Sequence, residues 1–236
     1  MRRVQHALTK RRRTIPRSHT PATTIKTRAY EQIRRNILAS TLPVGTALSE
    51  YQLAKEIGVS RTPVREALKR LEQEGLVRSV ARRGTFVADL TVRDIVEIYQ
   101  VRVQLEGLAA RVAAEQMELK EVEELLSELD RAERLARQGD LDASGEHDKH
   151  VHKQIIESTS NTRLTQILAM LDDQVHRIRQ RAMSNATRVP ATLKEHRAVL
   201  QAIKKRDGVT AEKAMRDHLQ AARDNAIKMA LAGTTF

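Results

Sequence analysis

The 236-residue sequence predicts a mainly α-helical protein in two parts: a small helix-turn-helix unit carrying a β-hairpin wing, then an antiparallel all-α bundle. Three observations predict it. The charge is split, because residues 1–90 carry 19 Lys and Arg against 7 Asp and Glu, whereas residues 91–236 carry 23 of each; the whole net charge of +12 therefore lies in front. Glycine-punctuated apolar stripes and two short strand-like runs crowd into residues 30–89. Behind them apolar positions recur at helical spacing, with Pro190 the single proline after residue 63.

Composition narrows the classes. Hydrophobic residues make up 40%, enough for a packed core and too many for a disordered chain. With no cysteine, disulfides, thiolate metal sites and thiol nucleophiles are excluded. No run approaches 18 apolar residues and no apolar stretch follows the basic start, so the expectation is a cytoplasmic protein without membrane span or secretory signal.

Residues 1–28 read as a basic disordered arm. Residues 1–29 hold nine Lys and Arg, no acid and two prolines. Such an arm either adds phosphate affinity, with a minor groove as one place to enter, or is a frayed tail. Residues 29–89 form the winged unit. Tyr30, Ile33, Ile37 and Leu38 mark a first helix, stopped by the turn at Leu42-Pro43-Val44-Gly45. Ser49 caps a short second helix with Leu53, Ala54 and Ile57, and Gly58 ends it as a left-handed cap. Ser60 caps a third, with Val64, Leu68 and Leu71 buried, ending at Gly75. The runs 76–80 and 85–87 are strands joined at Arg82-Arg83-Gly84.

This arrangement suits duplex DNA. A helix fits the major groove and its first residues meet base edges; here they are Ser60, Arg61, Thr62 and Arg65. Arg61 and Arg65 share a face, and either could form two hydrogen bonds to a guanine. Arg82, Arg83 and Gly84 at the wing tip suit close approach to a minor groove. Five aromatics in all leave too few stacking platforms for single strands.

Residues 91–232 read as six helices with short connections. Their stripes run through Ile98–Val112, Val122–Leu135, a segment from about Leu141 to Ser158, Leu164–Ile178, Leu193–Ile203 and Ala211–Ala222. Among the eight histidines, His150 and His176 share faces with acids and arginines and are expected at the surface, and His147 is ambiguous. His196 and His218 fall on apolar stripes, and His152 shares a face with Asp148 and Ile155. Three imidazoles and one carboxylate thus point inward, a good donor set for a divalent metal; the alternative is three separate core histidines. Arg102 lies beside Val101 and Leu105 and offers a fork for a carboxylate, unless it simply pairs with Glu106 on an exposed face. A metal-dependent enzyme acting on small organic acids is the rival reading. Against it, the sequence has no HExxH, phosphate-binding glycine loop or G-x-S-x-G.

Residues 48–77, LSEYQLAKEIGVSRTPVREALKRLEQEGLV, closely resemble the GntR family of bacterial transcription regulators, and the match covers 30–88. Arg102-x-x-Leu-Glu106-Gly-Leu-Ala-Ala-Arg111, Asp148-x-x-x-His152, Ser158-x-x-Asn161, Glu195-His196 and Met215-Arg-x-His218-Leu resemble the FCD ligand-binding domain of its FadR-type branch. The resemblance implies base reading by Ser60, Arg61, Thr62 and Arg65, with Gly84 in the minor groove. It implies metal ligation by Asp148, His152, His196 and His218, with zinc first and nickel or manganese as alternatives. It also implies a small organic acid as effector, with L-lactate the specific candidate and Arg102 its carboxylate partner. Two positions depart from the family: Tyr51 stands where an arginine often contacts DNA, and Val151 where phenylalanine usually precedes the second ligand. The whole reads as a homodimeric repressor on a short palindromic operator.

Overall fold

The computed structural model describes residues 25–183 and 187–236. Helix α1 (Ile25–Leu38) begins four residues ahead of the expected boundary at 29, and residues 1–24, which hold the rest of the basic arm, lie outside the described residues. Helix α2 (Glu50–Ile57) starts where the Ser49 hydroxyl accepts from the Gln52 amide and stops at Gly58, whose φ of 75° is the left-handed cap that glycine adopts without strain. Helix α3 (Arg61–Gln73) follows Ser60 and buries Val64, Leu68 and Leu71 against α1.

The wing is a three-stranded sheet rather than a simple hairpin. Strands β2 (Val77–Val80) and β3 (Gly84–Val87) pair antiparallel, with Ser79 opposite Thr85. A two-residue strand β1 (Ala47–Leu48), missed in the sequence, adds to the other edge of β3 with Ala47 opposite Phe86. Two residues carry no readable alternation, so only the tertiary pairing defines it.

The bundle has seven helices among the described residues, not six. They are α4 (Val92–Gln116), α5 (Leu119–Arg137), α6 (Asp142–Ser158), α7 (Thr162–Ala169), α8 (Asp172–Met183), α9 (Val189–Lys204) and α10 (Gly208–Leu231). The single helix expected over Leu164–Ile178 breaks at Met170–Leu171. Asp172 and Asp173 begin the new helix, where carboxylates complement the positive end of its dipole. Thr91 and Asp94 form a reciprocal capping box at the start of α4. Helix α10 lies along α4 and α9, and the approach to α4 is close: a Cβ at Gly107 would come within 2.9 Å of Arg216.

Two separate apolar cores result, one inside α1–α3 and the wing and one inside the bundle. Helix α8 joins them. Asp173 takes a two-pronged ion pair from Arg34 of α1, and the Gln174 amide donates to the Glu74 carbonyl at the end of α3, 2.9 Å away. Farther along α8, Arg177 donates to the carbonyls of Ala88, at 2.6 Å, and Phe236.

Candidate functional site

Asp148, His152, His196 and His218 meet inside the bundle. Helix α6 carries Asp148 and His152 one turn apart, so both leave the same face; α9 supplies His196 and α10 supplies His218. All four are buried, and one potential ligand atom from each lies within 4.8 Å of the others. The Nε2 atoms of His152 and His218 stand 3.2 Å apart, and His196 Nε2 is 3.4 Å from Asp148 Oδ1.

The surrounding carboxylates decide where the lone pairs point. His152 Nδ1 is 2.5 Å from Glu106 Oε2, and His218 Nδ1 is 2.8 Å from Glu195 Oε2. An ionised carboxylate only accepts, so each Nδ1 carries a proton, and a ring in its neutral form then presents Nε2 as the acceptor. Burial holds His152 neutral, lowering its pKa to about 4 although Glu106 pulls the other way. Burial likewise pushes His196 well below its ordinary value. Two lone pairs facing each other across 3.2 Å repel, and a cation between them removes the repulsion. The spacing is close to the edge of a tetrahedral zinc site, roughly 3.3 Å for bonds of about 2.05 Å.

Asp148 supplies the negative charge. Burial opposes its ionisation, but the Arg179 guanidinium, 2.8 Å from Oδ2, is the foremost of the groups that hold its pKa well below the carboxylate range. One carboxylate and three imidazoles fit a divalent cation of borderline softness. This donor set admits zinc, nickel and manganese alike.

A charged layer surrounds the four. Arg102 Nε donates to Glu106 Oε1 at 2.6 Å, and Glu106 spends its other oxygen on His152. The Arg102–Glu106 ion pair considered in the sequence therefore exists, but both side chains are 3% exposed rather than at the surface. Arg188 donates to Glu195 at 2.7 Å, behind His218. A cavity of about 30 Å³ touches Asp148, His152 and His218, with Arg102, Arg179 and Arg188 around it. A larger cleft of about 960 Å³ opens between the two parts of the chain. Arg102, His152 and Arg179 wall it on the bundle side, and Arg34, Arg70 and Glu74 on the other.

The sequence missed Glu106, Arg179 and Glu195 as members of this site. Glu195 adjoins a ligand in the Glu195-His196 pair, the one signal available. His150 is partly exposed and bonds Glu128 at 2.7 Å, His176 is half-buried, and His147 is buried beside His196.

The expected base-reading residues lie together on the winged unit. Ser60, Arg61, Thr62 and Arg65 are exposed at the start of α3. Glu50 grips Arg65 through both oxygens at 2.8 Å and reaches Arg61 at 3.4 Å. Tyr51 stands exposed on α2. Arg82, Arg83 and Gly84 are exposed at the wing tip, where Gly84 has a φ of 104° and open space around it.

Comparison with known proteins matches both halves. Residues 25–87 match the model described as bacterial regulatory proteins, gntR family, and residues 97–221 match the FCD domain. The uncharacterized HTH-type transcriptional regulator YdhC of Bacillus subtilis is 30% identical over 190 residues, covering 80% of this chain and 85% of that protein. The probable D-xylose utilization operon transcriptional repressor of Paenarthrobacter nicotinovorans is 30% identical over 199 residues, covering 84% and 87%. Among solved structures, a putative transcriptional regulator GntR from Rhodococcus sp. RHA1 superposes with a TM-score of 0.68 at 25% identity, covering 86% of this chain and 97% of that one.

Proposed function

The chain belongs to the GntR family of bacterial regulatory proteins and carries an FCD domain, and from that premise we propose a repressor whose grip on DNA is set by a small organic acid bound beside a divalent metal. The matched families and relatives are transcription regulators, so the enzyme reading falls away. Among the described residues no helix is long and apolar enough to cross a membrane.

The carrying observation is the facing pair of Nε2 atoms on His152 and His218, each ring locked by a carboxylate behind it, with Asp148 and His196 alongside. The resident ion, held by Asp148, His152, His196 and His218, would supply an anchoring point for a carboxylate or hydroxycarboxylate. Arg102, Arg179 and Arg188 would meet the remaining charge, as bidentate forks do. The cavity of about 30 Å³ shares Arg102, His152 and Arg179 with the larger cleft, so an acid such as L-lactate entering from that cleft meets Arg102 and Arg179 first.

Arg179 is the side chain whose displacement has reach. It leaves Asp148 for the acid, and it sits on α8, which besides packing on the bundle reaches Arg34 of α1, Glu74 at the end of α3 and Ala88 after the wing. A shift of α8 is passed to α1 and α3, and so to Arg61 and Arg65. The coupling required is modest, about 1–3 kcal/mol, or 5- to 150-fold in affinity.

On DNA, Ser60, Arg61, Thr62 and Arg65 read bases while Arg82, Arg83 and Gly84 follow the minor groove. Two copies on a short palindrome follow from the symmetry argument. Val101 and Leu108 on α4, 41% and 43% exposed, offer apolar surface for the second copy.

The test is a thermal-shift screen of small hydroxy and dicarboxylic acids, with and without chelator, followed by mobility shifts on DNA selected from a random library. The reading expects at least one acid to stabilise the protein only when metal is present and to weaken the specific complex. Acid binding unaffected by chelator, or equal affinity for all sequences, would overturn it.

A further inference from the structure

A ligating histidine is held in place by whatever receives the proton on its far nitrogen, and that partner tunes the ligand's basicity. Two of the three imidazoles here have a carboxylate in that role: Glu106 for His152 and Glu195 for His218. His196 has none. Its Nε2 lies 3.4 Å from Asp148 Oδ1, and both of its nitrogens are buried without a hydrogen-bond partner, which leaves Nδ1 with no outer partner.

The ring packed against His196 from outside the ligand set is His147, with centroids 5.6 Å apart and planes inclined by 58°. His147 is 4% exposed, and neither of its nitrogens has a protein partner. One turn earlier on α6, Ser144 is 1% exposed and its hydroxyl is also unpartnered. Buried polar atoms left unpaired are costly, so the unpartnered nitrogens of His147 and His196, whose rings are packed together, and the Ser144 hydroxyl one turn before His147 call for a shared solution. A water needs two to four polar partners in such a place, and His196 Nδ1, a His147 nitrogen and the Ser144 hydroxyl supply three.

We propose that His147 and Ser144, acting through one bridging water, are the outer partners that position His196 as a metal ligand. The inference rests on Asp148, His152, His196 and His218 holding a divalent cation. Its chemistry is distinct from that of the other two rings, because a neutral imidazole and a hydroxyl accept a proton less strongly than a carboxylate does. His196 is accordingly the least basic of the three imidazole ligands, and the one that yields first when another donor competes for the cation.

The experiment uses the full chain loaded with Co(II), read by its visible d–d spectrum and by competition against a chelator. His147→Phe keeps an aromatic ring and removes both nitrogens, and it is expected to weaken Co(II) binding about 10- to 100-fold and to shift the spectrum. His147→Gln restores a donor and an acceptor and is expected to recover most of that loss. Ser144→Ala, the smallest change and safe for folding, is expected to weaken binding several-fold. A His147→Gln variant as weak as His147→Phe would show a packing role alone and overturn the proposal. So would Co(II) affinity unchanged in Ser144→Ala. Failure of the unsubstituted protein to bind Co(II) at all would instead overturn the metal reading on which this one rests.

Discussion

Replacing Arg179 by methionine separates the two cations that share Asp148. Arg179 Nε lies 2.8 Å from Asp148 Oδ2, and the side chains are 17% and 5% exposed. Removing one partner of a buried ion pair costs about 3–5 kcal/mol, because the other charge is left alone in a poor solvent. The residual exposure of Arg179 and the imidazoles around Asp148 put this case at the low end, about 3 kcal/mol. For a chain of this length each kcal/mol moves Tm by about 2–4 °C, so Arg179→Met in chelator should melt roughly 6–12 °C below the parent. With zinc in excess the metal takes over the neutralisation of Asp148, and the deficit should shrink to less than half. Zinc affinity should rise, since a positive charge has been removed from beside the ion. Differential scanning calorimetry with and without chelator, together with competitive zinc titration, measures both. Equal deficits in the two conditions, or weaker zinc binding in the variant, would refute the reasoning.

Four further outcomes follow. Replacing His196 and His218 by alanine together should abolish stoichiometric metal in the purified protein, as read by elemental analysis. Asp173→Asn should leave metal content and effector-free DNA affinity near the parent values while cutting the effector's influence on DNA binding about fivefold, measured by fluorescence anisotropy. Arg65→Ala should relax preference at one base about 10- to 100-fold, whereas Arg83→Ala should weaken all sequences alike and flatten the salt dependence, both read by selection from a random library at two salt concentrations. Finally, His152 titrates near its ordinary 6.5 when unfolded and at about 4 when folded, so the unfolded state binds more protons between those values. Metal-free protein should therefore lose Tm as pH falls from 6.5 towards 4, and His152→Asn should lose less.

The buried cluster of Asp148, His152, His196 and His218 was legible because His196 and His218 interrupt apolar stripes and His152 shares a face with Asp148 and Ile155, so periodicity says which way they point. Glu106, Arg179 and Glu195 were not legible for the opposite reason. A buried charge is tolerated only through its partner, and the partners here come from different helices, which no single stripe records. Arg179 shares a face with Asp172 and His176, a pattern that reads as solvent-facing. The break between α7 and α8 has neither glycine nor proline to mark it, and its sole sign is the acid pair Asp172-Asp173. The winged unit was easier: Gly58 and Gly75 end its helices in left-handed turns and Ser49 caps α2, although Ser60, expected to cap α3, stands at its start without a side-chain capping bond.

The passage from the wing to the bundle is short and stitched down. Strand β3 ends at Val87 and α4 begins at Val92, while Arg177 grips the Ala88 carbonyl and the Phe236 amide donates to Asp89 at 2.8 Å. A head mounted on such a stub cannot swivel on a tether to suit operators of differing length. In the proposed dimer the distance between half-sites would therefore be written into bundle packing, and a relative adopting a new spacing would have to rebuild that joint rather than lengthen it.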